Sequence, residues 1–501
     1  MNKGYILGID QSTSGSKALI VNSEGQIIYK NSKEHKQYYP SNDWVEHDPI
    51  EIYENIKQLI NEAIDTAPVK IGEIKALSIT NQRETVVIWD KDTGEPVYNA
   101  IVWQCRRTTK MCEQFKNEGY EDLVKSKTGL TIDPYFSASK AKWILDNVEG
   151  AKEKAIQGKL LLGTIDSWII WQLTNGEVHA TDVTNASRTL LYNIHNLKWD
   201  EELLEVFDIP YAMLPKVKNC DDIYGETKDH NLSLNVPISG VIGDSQGALF
   251  GQRCFEKGMA KATFGTGTSL LVHTDHLVEA NNGLVTSVAW GCQGKVNYAL
   301  EGIIRATGDV INWLYKDLEL FKDFDEAEEL AKTLPNNQGV YLVPAFVGLG
   351  APYWSPNTKA AIIGMSRATG KAHIIRAGLE SIAYQVKDII QLMEEKGGLK
   401  IKTLQVDGGA TSNQFLVQFI ADILGINVTA SNTAELSSMG SVYLGGLGVG
   451  IWDSIDDISE LSQSNKSYLA EMSEEVRLKF YQQWKEAVNS VLVEDNTVMS
   501  H

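Results

Sequence analysis

Tyr5-Ile-Leu-Gly-Ile-Asp10-Gln-Ser-Thr-Ser-Gly15-Ser-Lys17-Ala-Leu-Ile-Val21 reads as strand, turn, strand. Tyr5 to Ile9 is apolar, Asp10 to Ser16 is small and polar, and Ala18 to Val21 is apolar again, so a tight polar turn joins two buried strands. A carboxylate that closes a buried strand is costly unless something compensates it. Asp10 therefore either stabilises the hairpin as an Asx-turn or faces a cation such as Mg²⁺, directly or through water.

The device returns in the second half. Met259 to Phe264 leads into Gly265-Thr266-Gly267-Thr268-Ser269, and Leu270 to His273 leads out, so the two halves read as variations on one plan. A third small-residue turn, Asp407-Gly408-Gly409-Ala410, follows a strand at Leu404 to Val406. Turns without bulky side chains let backbone N–H groups approach phosphate oxygens, and hydroxyls add donors. Any one of them is weak evidence, because such turns are more often purely structural. No G-x-x-x-x-G-K-[ST] occurs, which excludes a P-loop and calls for another nucleotide fold.

Between the turns, strands and helices alternate. Asp48-Pro49-Ile50-Glu51 combines a cap acid, proline at the first helical position and a glutamate three residues past the cap. An apolar face follows at Tyr53, Ile56, Ile60, Ala63 and Ala67. Strands are expected over 74–80 and 85–89 and helices over 137–147, 376–395 and 412–424, the last stopped by Gly425. The 376–395 helix carries an apolar stripe at Leu379, Ile382, Val386, Ile389, Ile390 and Met393 that reads as core. The class is α/β. A chain of 501 residues is too long for one ordinary core, and the proline- and glycine-bearing stretch before Asp244 places a boundary near residue 252, giving domains 1–252 and 253–501.

A net charge of −19 argues against a nucleic-acid or anionic-membrane surface, since both would repel this field. The five cysteines form no C-x-x-C pair, so reduced thiols and no zinc are expected. No apolar run reaches the roughly 18 to 20 residues of a membrane span. Lys3 followed closely by Asp10 leaves no room for a signal peptide, and a cytoplasmic location is expected.

The stretch from Ile6 to Lys17 resembles the first phosphate motif of the FGGY carbohydrate kinases, and Gly265-Thr266-Gly267 and Val406 to Ala410 resemble that family's second phosphate and adenosine motifs. Within the family, Asn81-Gln-Arg83-Glu84-Thr85, Ile101-Val-Trp103-Gln-Cys-Arg106, Thr128 to Phe136, Asp182 to Thr189 and Leu349 to Trp354 are most similar to the members that phosphorylate glycerol. The resemblance implies two domains of the actin/hexokinase/Hsp70 (ribonuclease H-like) type with a cleft between them. It also implies transfer of the γ-phosphate of ATP, with Mg²⁺, to a hydroxyl of a small polyol. By the same resemblance Asp244 is the general base, and Arg83, Glu84, Trp103, Tyr135, Asp244, Ser245 and Ser269 surround the substrate. Thr13, Ser14, Lys17, Thr266, Gly308, Asn312, Gly409 and Asn413 fall where the family contacts the nucleotide, and Asp10 and Asp244 where it holds the metal. Family members often form homodimers or homotetramers.

The pattern breaks in a few places. Ser245 replaces a glutamine, Ser269 a phenylalanine and Arg305 an aromatic residue, while Lys17 stands for an arginine and loses its bidentate geometry. Two large side chains exchanged for serine would enlarge the pocket, so a four- or five-carbon polyol or sugar is the alternative acceptor to glycerol. Arg305, if it faces the site, would read an anionic group. The stretch Thr227 to Leu232 matches neither regulatory loop of the family, which leaves His230 as a solvated loop residue. From other classes, an actin- or Hsp70-like ATPase would share the nucleotide turns but lack Arg83, Glu84, Trp103 and Tyr135 as a set. A non-catalytic polyol sensor would not need Asp10 and Asp244.

Overall fold

The computed structural model describes residues 4–280, 283–433 and 435–493, so Lys3 lies outside the described residues. The chain forms two units. One comprises residues 1–255, 286–299 and 435–462, the other residues 256–285, 300–434 and 463–501. Two later segments of the chain thus belong to the first unit, an arrangement that a single division of the sequence does not describe.

The opening stretch forms Tyr5–Gln11 and Gly15–Asn22, an antiparallel hairpin in which Asp10 lies opposite Lys17. The first unit's main sheet has six strands, in the spatial order Ile223–Glu226, Pro237–Gly243, Ile74–Asn81, Tyr5–Gln11, Gly15–Asn22, Ile27–Glu34. Its three central strands are parallel. Their register is decisive for the site: Gln11 pairs with Asn81, and Asn81 with Gly243. The carboxyl ends of these strands therefore stop in one line, and the residues that follow, Ser12 to Ser14, Gln82 to Glu84 and Asp244, emerge side by side. Ligands of open α/β sheets bind at this kind of edge.

Both faces of this sheet are covered, which explains near-continuous apolar strands. One face carries helix Pro49–Thr66, whose Ile52, Ile56, Leu59 and Ile60 share a core with Leu7, Ile9 and Ile79. Asp48 caps that helix by accepting from the backbone N–H of Ile50 at 2.8 Å, whereas Glu51 turns away and accepts from the N–H of Lys36. Helix Leu436–Gly448 packs on the same sheet through small residues: a Cβ on Gly240 would lie 2.1 Å from the Ser441 carbonyl oxygen. On its neighbour Asp244–Gly251, the Gly247 carbonyl lies 2.0 Å from where a Gly440 Cβ would stand.

The second unit repeats the plan. Met259–Phe264 and Thr268–His273 form the hairpin, and Thr403–Gly408 runs parallel to the first of these, pairing Gly408 with Phe264. Helix Lys371–Gly397 buries the predicted stripe, Leu379 through Met393, beside helix Gln414–Leu424. Among the described residues no helix is long and apolar enough to cross a membrane, and all five cysteines are buried free thiols.

Candidate active site

In the first unit the strand ends gather a charged cluster. Arg83 and Glu84 are 4% and 1% exposed. The Arg83 guanidinium donates from Nη1 to Gln246 Oε1 at 3.2 Å and from Nη2 to the Tyr135 hydroxyl at 3.5 Å, and its Nε lies 3.4 Å from Asp244 Oδ1. Glu84 receives Nε of the fully buried Arg188 at 2.7 Å. Glu84 adopts φ +62°, a left-handed backbone uncommon for a non-glycine residue, in a turn closed by the Thr85 N–H on the Arg83 carbonyl. Strained backbone of this kind persists where the surroundings over-determine it.

Asp244 is the first residue of helix Asp244–Gly251, where unpaired N–H groups and the helix dipole favour negative charge. Its Oδ1 accepts from the Ser245 N–H at 2.6 Å, and its side chain is 39% exposed, accessible to a ligand while held by Arg83. Trp103 and Tyr135 stand edge to face, 5.4 Å between centroids, as an apolar wall. The loop that aims Tyr135 is fixed from within by the buried Lys140 ammonium, which donates to the carbonyls of Pro134, Tyr135 and Phe136. Burial pulls Lys140 down to about 8, against the nearby charge of Glu84.

The hairpin turn lies on the same edge. Thr13 Oγ1 accepts from Trp103 Nε1 at 2.9 Å, and Ser14 is exposed. Lys17 Nζ and Lys30 Nζ converge on Glu435 at 2.8 and 3.0 Å. Burial lowers Lys17, but Glu435 and Asp10 outweigh it and leave the ammonium above its usual value. Asp10 is 7% exposed and accepts from the Ser438 hydroxyl at 3.0 Å. Burial pushes its carboxyl up to about 6, opposed by Lys17 and Ser438 and reinforced by the charges of Asp244 and Glu435. Such an under-compensated carboxylate fits a divalent cation of the Mg²⁺ type, which takes one or two protein carboxylates and draws its remaining oxygens from phosphates and water.

In the second unit, Thr266, Gly308, Asn312, Gly409 and Asn413 all line one pocket of ≈260 Å³. Five residues spread across the sequence are brought together because the Gly265 and Gly409 turns leave adjacent paired strands and Gly308 sits against the first of them. A Cβ on Gly308 would lie 2.4 Å from the Gly265 carbonyl, so close backbone approach requires glycine there. Phe264, Ile311, Phe324 and Ala327 supply apolar walls between the polar groups, a combination suited to a flat heteroaromatic base. Asn413 also caps helix Gln414–Leu424 by accepting from the Leu416 N–H at 2.9 Å. Ser269 lies outside this pocket's lining and donates to the buried Glu301 at 3.3 Å, while the exposed Arg305 donates to the Val347 carbonyl at 3.1 Å.

Arg188, Gln246, Lys140, Glu435 and Ser438 were not among the residues the sequence singled out for the site. Arg188 stands inside a recognised stretch, which was its only available signal. The others act through contacts that no local pattern reveals.

Comparison with known proteins gives a consistent picture. Models of the N-terminal and C-terminal domains of the FGGY family of carbohydrate kinases match residues 5–251 and 260–449. Over 489 residues the chain is 50% identical to a protein named glycerol kinase 2 from Thermotoga maritima, covering 97% of this chain and 99% of that one. A protein named glycerol kinase from Bacillus cytotoxicus is also 50% identical, over 488 residues and 98% of its length. The crystal structure of Plasmodium falciparum glycerol kinase with ADP matches at a TM-score of 0.94 and 39% identity, covering 98% of this chain and 99% of that one. Gluconate kinase from Lactobacillus acidophilus, at 22% identity and a TM-score of 0.86, shares the fold.

Proposed function

The chain belongs to the FGGY family of carbohydrate kinases, and on that premise we propose that it transfers the γ-phosphate of ATP to a hydroxyl of glycerol. The observation that carries this reading is the cluster at the sheet edge. Arg83 sits between Asp244 and Glu84 beside the Trp103–Tyr135 wall, so a neutral three-carbon polyol finds charged donors, carboxylate acceptors and an apolar face together.

In the proposed reaction the polyol oxygen attacks the γ-phosphorus, its O–H proton passes to the Asp244 carboxylate, and the bond to the β-phosphate oxygen breaks to release ADP. Arg83 orients Asp244, and with Glu84 it fixes the polyol. Thr13, Ser14 and Lys17 take the phosphates, and Thr266, Gly308, Asn312, Gly409 and Asn413 take the remainder of the nucleotide. Asp10 and Asp244 would hold Mg²⁺, which would supply positive charge against the phosphate oxygens. Phosphoryl transfer consists largely of such positioning and charge neutralisation. Ser245 and Ser269 border the polyol in this reading, and the acidic chain with free thiols is read as a cytoplasmic enzyme, assembled as a homodimer or homotetramer.

The test is ADP release with glycerol, dihydroxyacetone, erythritol, threitol, xylitol and ribulose as acceptors. Glycerol is expected to give the highest kcat/KM. A four- or five-carbon acceptor that surpasses it would replace glycerol as the substrate.

A further inference from the structure

We propose that His47 is a positioning residue for the phosphate turn, its buried imidazole holding the backbone of Thr13 through the carboxamide of Gln37 and that of Ser12 through the carboxamides of Gln82 and Gln11. The proposal rests on the reading of Thr13 and Ser14 as phosphate contacts.

The hydrogen bonds form a directed chain. Gln37 Nε2 donates to the Thr13 carbonyl at 2.7 Å, so the other end of that amide, Oε1, faces His47 Nε2 at 2.7 Å. The ring must therefore carry its proton on Nε2. Its Nδ1 is then an acceptor, and Gln82 Nε2 approaches it at 3.2 Å. Gln82 Nε2 gives its other hydrogen to Gln11 Oε1 at 2.9 Å, and Gln11 Nε2 donates to the Ser12 carbonyl at 2.7 Å. The ring thus reaches Thr13 from Nε2 through the amide of Gln37, and Ser12 from Nδ1 through the amides of Gln82 and Gln11.

The base of this chain is rigid. His47 is fully buried in the short strand Glu46–His47, pairs with Ala100, and is followed at once by the Asp48 cap of helix Pro49–Thr66. The ring of His35 abuts it edge-on at 4.5 Å. Burial holds the imidazole far below its ordinary range, at about 3, so the neutral ring with one donor and one acceptor persists at working pH. A residue needed only to fill this space would be apolar. The imidazole instead matches two opposed amides, and the register of Gln82 places the same junction one residue before Arg83.

Steady-state kinetics of His47→Leu, His47→Gln and Gln37→Leu test the proposal. Loss of the link to the turn is expected to raise the KM for ATP about tenfold, the scale of one to one and a half hydrogen-bond equivalents, with the KM for glycerol within about twofold. His47→Gln, whose amide nitrogen can replace Nε2, should recover most of the loss. His47→Leu combined with Gln37→Leu should exceed Gln37→Leu alone only by the share carried through Gln82, and so fall short of the sum of the two single effects. An unchanged KM for ATP in a folded His47→Leu, an equal rise for both substrates, or fully additive effects would overturn the proposal. If His47→Leu does not fold, Gln37→Leu at its half-buried position decides on the same criterion. Failure of the kinase reading looks different: the unaltered protein would then release no ADP in response to a polyol.

Discussion

Single side chains decide whether the strand-end cluster is chemical or structural. Asp244 is the only group in the assignment whose role requires a change of protonation during turnover. Asp244→Asn keeps the hydrogen bond from Ser245 but removes the proton acceptor, so kcat should fall by at least about 100-fold while ATP binding, read by nucleotide titration, stays within a few-fold. Lys140 gives a test that involves no turnover. Its folded value near 8 lies below the ordinary lysine value, so below pH 8 both folded and unfolded chains hold the proton and the cost of the buried charge is borne in full. Between about 8 and 10.5 only the folded chain has released it, and stability rises with pH. Urea unfolding at pH 7.5 and 9.5 should show the unaltered protein gaining about 2 kcal/mol relative to Lys140→Met; no relative gain would refute the buried-charge account. Arg83 and Glu84 could be picked out in the sequence by their motif, but their burial could not. Local pattern cannot distinguish a solvated ion pair from one enclosed by Gln246, Tyr135 and Arg188, whose contacts with this pair span up to 163 residues.

At the scale of elements, the hairpins were readable because their chemistry is local: apolar runs, a small polar turn and helices with explicit caps. The parallel register that aligns Gln11, Asn81 and Gly243 was not, since it is set by pairing between strands far apart in the chain. Helix Leu436–Gly448 is the clearest omission. Its four glycines and three serines are poor helix formers, yet they are what allow Gly240 and Gly247 to approach so closely. That approach is how Ser438 reaches Asp10 and Glu435 reaches Lys17. Gly440→Ala should overpack this contact and destabilise the fold by about 1 to 3 kcal/mol in denaturant unfolding, with a loss of kinase activity as the Ser438 donor shifts. A variant of unchanged stability would show that the contact tolerates a methyl group.

At the scale of the molecule, composition and the paired turns pointed to an α/β chain built twice on one plan. The return of residues 286–299 and 435–462 to the first unit has no compositional mark, because those segments join a core assembled before them in sequence. The substrate question is also one for the whole molecule, since Ser245 and Ser269 depart from the family pattern while the remainder of the chain keeps to it. The most direct test follows ³¹P signals during turnover of the unaltered protein with ATP, Mg²⁺ and glycerol. A glycerol phosphate resonance growing in one-to-one proportion with ADP, and absent when glycerol is omitted, is the predicted result. ADP appearing at the same rate with inorganic phosphate and no phosphorylated polyol would contradict the account.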